Sequence, residues 1–177
     1  MMRPAVWFFI LLLGGCGGVS APEPKTFDLG LAPPAAALPA VRIATVRAVA
    51  PFEGNDMQYR LAYRDAAEIA AFANTRWAAT PAELFRKQML RAASDKTGKC
   101  ILDVEIQEFT QVFSAKEASD ARIELRAWLR GGATRAWSLV EPNAGADAVS
   151  GAAAFARAAN RAIGELGAWV AVQPDCR

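Results

Sequence analysis

The chain has 177 residues and contains no histidine. That absence removes Ser-His and Cys-His dyads, histidine metal ligands and a histidine acid or base together. Patterns of the GxSxG, HExxH, P-loop and GxGxxG types are also missing. The carboxylates are scattered, and their spacing singles out no pair for acid–base work. These absences argue against an enzyme, and no metal or cofactor is expected. Charge of one sign is scarce as well: 20 Lys and Arg stand against 18 Asp and Glu, a formal +2. A nearly neutral chain offers no electrostatic footprint for nucleic acid. Nor is the leading apolar run long enough to cross a bilayer, since residues 5–13 give nine apolar positions and a span needs about 20.

That short run reads as the core of a signal peptide, with Arg3 as its basic leader. It stops on Leu13-Gly14-Gly15-Cys16, which resembles the bacterial lipobox. Leucine suits an apolar subsite, two glycines allow close backbone approach, and the thiol then takes the lipid. Cys16 is therefore expected to be the lipidated first residue of the mature chain, the alternative being a plain secretory signal with an incidental cysteine. Each buried methylene contributes about 0.8 kcal/mol, so two or more chains on Cys16 would hold it stably to a membrane. Gly17 follows, where an inner-membrane retention signal would have Asp, which points to the outer membrane facing the periplasm. Losing residues 1–15 removes Arg3 and leaves 162 residues with a charge of +1.

Cys100 and Cys176 are the two remaining cysteines, 76 residues apart. In an oxidising compartment an even pair reads as a disulfide, the alternative being two free thiols. Residues 16–40 are rich in Gly, Ala and Pro and read as a tether, interrupted only by TFDLG as a short edge strand. Fully extended, such a tether reaches about 80 Å.

The folded domain is expected over residues 41–177. VRIATVRAV and MQYRLAY alternate as strands, joined through EGND. Residues 65–76 fit a helix or an extended segment equally. Thr80-Pro81-Ala82-Glu83 is a helix start with a capping box, predicting a helix to about residue 93. CILDVEIQEFTQVF begins as a strand with Leu102, Val104 and Ile106 inward, and its phase slips at Phe109, which implies a bulge. ARIELRAWLRGGATRAWSLV is a hairpin burying Ile123, Leu125, Ala127 and Leu129. A two-residue turn at Gly131-Gly132 pairs Trp128 with Arg135 and Arg126 with Trp137, all on the face opposite Leu125. This crossed Trp/Arg surface is the candidate partner-binding site. Residues 147–172 form the last helix, with Phe155, Ala159, Ala162, Ile163, Leu166, Trp169 and Val170 along one stripe. The sum is an α+β domain: a mainly antiparallel sheet with two helices packed on one face.

Taken in order, Cys16, Phe27-Asp28-Leu29-Gly30, Tyr59-Arg60, Arg76-Trp77 and Pro81 resemble the pattern of the ABC-type transport auxiliary lipoproteins. The resemblance implies that residues 70–77 form a strand. It also implies a non-enzymatic accessory of an ABC system moving lipids between the inner and outer membranes. Its partners would be a periplasmic MCE-domain protein with its permease and ATPase, and the membrane through the anchor; a homo-oligomer is also admitted. The other reading is an outer-membrane lipoprotein that scaffolds or activates a cell-wall synthase. Trp77, just before the helix cap, reads as a core plug.

Overall fold

The computed structural model describes residues 23–31, 37–93 and 98–176; the signal segment and Cys16 lie outside them. Seven strands make one sheet: β1 (Lys25–Phe27), β2 (Val41–Ala48), β3 (Asp56–Arg60), β4 (Ala70–Trp77), β5 (Cys100–Ala115), β6 (Ala118–Leu129) and β7 (Thr134–Pro142). Two helices, α1 (Pro81–Ala92) and α2 (Ala148–Ala171), lie against one face. The sheet order is β1-β4-β3-β5-β6-β7, with β2 beside β5 as well. Pairing is antiparallel at β3–β4, β5–β6 and β6–β7, and parallel at β1–β4, β2–β5 and β3–β5.

Strand β5 carries this arrangement because its 16 residues are long enough for two neighbours on one edge. Its first half pairs with β2 through Ile106, and its second half pairs with β3 from Thr110 to Val112. Between them the register against β6 shifts from Ile106 to Glu108, leaving Gln107 exposed. This is the bulge that the slip at Phe109 predicts, and it returns Phe109 to the helix-covered face.

Helix α1 starts as its sequence specifies. The Glu83 amide donates to Thr80 Oγ1, and Glu83 Oε2 accepts from the Thr80 amide. Pro81 occupies the first turn, where a missing N–H costs nothing. Helix α2 starts at Asp147, whose Oδ1 accepts from the Ser150 amide at 2.7 Å. Its stripe of Phe155, Ala159, Ala162, Ile163, Leu166, Trp169 and Val170 is buried, and small residues between them let it lie close to β6 and β7. Trp77, Phe109 and Phe155 come from β4, β5 and α2 into one cluster, with centroids 4.5–5.5 Å apart. Trp77 is 1 % exposed and is a core plug. Residues 70–77 are strand β4, as the resemblance implies. Cys100 on β5 is bonded to Cys176 in a short turn after α2, which ties the chain end to the sheet.

Two expectations are corrected. The short edge strand expected at TFDLG is present as β1, paired with β4, but Leu29 and Leu38 are buried in the core rather than part of a free tether. Composition misleads here because a few apolar side chains among prolines and alanines suffice to dock a short segment. The hairpin turn is the second. Leu129 donates its amide to the Ala133 carbonyl and Gly132 donates to Leu129, with Gly131 at φ 77°. The loop therefore holds three residues, and the pairs become Arg126–Ala136, Leu125–Trp137 and Trp128–Thr134. A shift of one residue sends every β7 side chain to the other face.

Candidate functional site

The face of the sheet without helices is where the charged side chains gather. Cross-strand register sets them in rows. One row runs Arg47 on β2, Glu105 on β5, Arg126 on β6 and Ala136 on β7; the next runs Thr45, Asp103, Trp128 and Thr134. Arg47 closes on Glu105, its Nη2 2.6 Å and its Nε 2.9 Å from Oε2. Its guanidinium carbon also stands 5.7 Å from the centre of the half-buried Trp128 ring, within cation–π range. Arg130 grips Asp103 with Nε at 2.8 Å and Nη2 at 3.2 Å, a bidentate pair. That bond, ahead of contacts from Thr45, holds the Asp103 carboxyl below the usual carboxylate range. Further along, Arg60 forks onto Glu108 at 3.1 and 3.0 Å, and the Thr110 hydroxyl donates to the same carboxylate.

Each of Asp103, Glu105 and Glu108 is thus bonded to an arginine. Arg126 differs: among the described residues it has neither an ion pair nor a hydrogen bond. It lines a shallow depression of about 260 Å³ with Arg47, Glu105, Trp128 and Thr134. This surface can present a cation and half an indole ring to a partner. Among the described residues no group of three or more Cys, Asp or Glu is placed to hold a metal, and no helix is long and apolar enough to cross a membrane.

The structure keeps only half of the crossed Trp/Arg surface expected from sequence. Arg126 and Trp128 share the open face. Trp137 is buried on the helix side, edge-on to Trp169 at 5.5 Å, with Arg135 over its ring at 5.3 Å. The three-residue loop is the reason. Arg47 and Glu105 complete the depression and were not legible in sequence. Their strands pair in parallel across 58 residues, which no local pattern signals.

No family model matches the chain, and no curated protein does. The fold is that of a solved Xanthomonas campestris protein described as DUF330. The TM-score is 0.65 at 18 % identity, over 84 % of this chain and 91 % of that one. A second crystal structure, of an uncharacterized protein, superposes with a TM-score of 0.62 at 12 % identity, over 84 % and 99 % of the two chains. Identities this low establish a shared fold.

Phe27–Gly30, Arg76-Trp77 and the start of α1, among the motif residues behind the family resemblance, meet in one corner of that fold, whereas Tyr59 packs on Phe72 and Phe113 and Arg60 pairs with Glu108 at the other end of β4. Phe27 pairs with Trp77, and the Ala78 amide donates to the Phe27 carbonyl. Asp28 Oδ1 accepts from the Gly30 amide, a turn closed by Gly30 at φ 80°. Asp28 also pairs with Lys87 at 3.2 Å, while Gln88 and Arg91 donate to the Gly30 carbonyl. The Gly30 amide first, then Lys87, lowers the Asp28 carboxyl. These residues dock β1 between β4 and α1; their work is architectural.

Proposed function

We propose that the protein is an outer-membrane lipoprotein, anchored through Cys16, that serves as a non-enzymatic accessory of an MCE-type ABC system moving lipids between membranes. The observation that carries this reading is the ordered motif series behind a lipobox, of which Phe27–Gly30 and Arg76-Trp77 meet at the β1–β4–α1 corner. The fold shared with the DUF330 protein supports it at the level of architecture. On this reading the anchor is close to the domain. Lys25 follows Cys16 by nine positions, a reach of about 30 Å when extended. The β1 edge would then stay near the bilayer rather than about 80 Å away.

Two measurements test it. Wild-type protein should take up labelled palmitate and fractionate with the outer membrane, and Cys16→Ser should do neither. Capture from detergent-solubilised envelope should return MCE-domain, permease or ATPase subunits. Recovery of a cell-wall synthase in their place would move the assignment to scaffolding of that enzyme.

A further inference from the structure

Strand β7 is the last strand of the sheet, and its outer edge faces no other strand among the described residues. Half of that edge is covered. Arg161 Nη2 donates to the Val140 carbonyl and Arg157 Nη2 to the Pro142 carbonyl, each at 2.7 Å. Both arginines also grip Glu141. These contacts fix the parity: even-numbered residues of β7 turn their main-chain groups away from β6. Pro142, which has no N–H, sits at an outward position, as an edge strand permits. By the same parity Thr134, Ala136 and Ser138 present N–H and C=O groups outward, and no side chain is bonded to them among the described residues. Exposed strand edges are ordinarily blunted, and the α2 arginines blunt only one end of this one.

The open half is flanked by cations on both faces. Arg126 lies beside Ala136 on the open face, and the small alanine leaves it room to reach past β7. Arg135 lies on the helix-side face, and among the described residues it meets only the Trp137 ring. Around Arg126 the open face carries Arg42, Arg47, Arg126 and Arg130 against Asp103, Glu105 and Glu124, four positive charges less three, or +1; Glu124, opposite Ser138, accepts from the Ser138 hydroxyl. A second copy is a poor occupant, because antiparallel pairing of two β7 edges about Ala136 would set Arg126 against Arg126.

We propose that residues 134–138 of β7 accept an extended acidic segment of another protein as an added strand. Its main chain pairs with Thr134, Ala136 and Ser138, and its carboxylates meet Arg126 on one face and Arg135 on the other. This mode takes affinity from main-chain hydrogen bonds and selectivity from alternate side chains. The site depends neither on the lipid anchor nor on the transport reading, so its test can fail without touching either.

The test uses the mature chain with Cys16→Ser and a blocked peptide of about eight residues repeating Glu-Glu-Val-Thr, which sets carboxylates on both faces of an extended strand, beside a control in which Lys replaces Glu. Amide NMR should show shifts and slowed exchange at Thr134, Ala136 and Ser138 with the Glu peptide only. Arg126→Glu, an exposed substitution that should leave the melting temperature unchanged, should weaken the Glu peptide by about tenfold or more and let the Lys peptide bind. Ala136→Pro should abolish both. Equal binding of the Glu peptide to wild type and Arg126→Glu would overturn the proposal. So would shifts confined to other strands, no binding at millimolar peptide, or self-association of the chain through β7.

Discussion

On the helix-covered face of the sheet, Trp77 is enclosed by Phe109 and Phe155 and has lost nearly all its contact with water. On the other face, Trp128 lies half-buried with Arg47 over its ring and carboxylates on the neighbouring strand. The same residue type thus does two kinds of work. The covered face is held by burial, whose contribution grows with apolar area. The open face is held by cross-strand ion pairs that each contribute about 0.2–1 kcal/mol and weaken with salt. Stability should therefore concentrate on one side and recognition on the other.

The largest test of this contrast is Trp77→Ala against Trp128→Ala. Urea unfolding of the mature domain should show a loss of about 3–5 kcal/mol for the first and about 1 kcal/mol for the second. Comparable losses would mean that the open face is also a core. Next in size is the disulfide. Replacing Cys100 and Cys176 together by Ser releases a closed loop spanning 76 residues, and unfolding should show a loss of about 4 kcal/mol in the chain-entropy model.

Backbone approach separates two glycines more finely. A Cβ on Gly98 would lie 2.0 Å from the Ala40 carbonyl oxygen, where main chain meets main chain. One on Gly151 would lie 2.2 Å from Gln111 Oε1. Gln111 is buried and donates to Ser119 Oγ and the Asp147 carbonyl. Gly151→Ala should lower stability by about 1–3 kcal/mol through overpacking, despite the roughly 1 kcal/mol that Ala gains over Gly in a helix. Gly98→Ala should cost more than Gly151→Ala, because backbone cannot swing aside; equal melting temperatures would refute that ranking.

The smallest effect belongs to the open face and to pH. The Asp103 carboxyl is depressed in the folded state, first by the Arg130 hydrogen bond. A depressed folded value means that its stabilisation is fully present above the unfolded carboxylate value, about pH 4, and is lost as pH falls through the folded value. Asp103→Asn should lower stability at neutral pH and flatten the decline below about pH 4. An unchanged acid limb would remove Asp103 from the account.

Both helices were legible in the sequence because their signals are local. Thr80, Pro81 and Glu83 lie within one turn, and the α2 stripe repeats every few residues. The bulge near Phe109 was legible for the same reason, as a break in alternation. The candidate site was legible only at Arg126 and Trp128, two residues apart on one strand. Arg135 and Trp137 were misplaced because the register depends on whether Gly131-Gly132 closes a two- or three-residue loop, and both use the same glycines. By itself the sequence determined the capped helices, the alternating strands, the cysteine pair and a lipobox signature. Only the tertiary structure decided that Leu29 and Leu38 join the core, that β2 and β3 share one edge of β5, and which faces Trp137 and Arg47 occupy. The reason is physical: local signals act through hydrogen bonds within a few residues, whereas register and parallel pairing join segments far apart in the chain and are settled by which packing buries the most apolar surface.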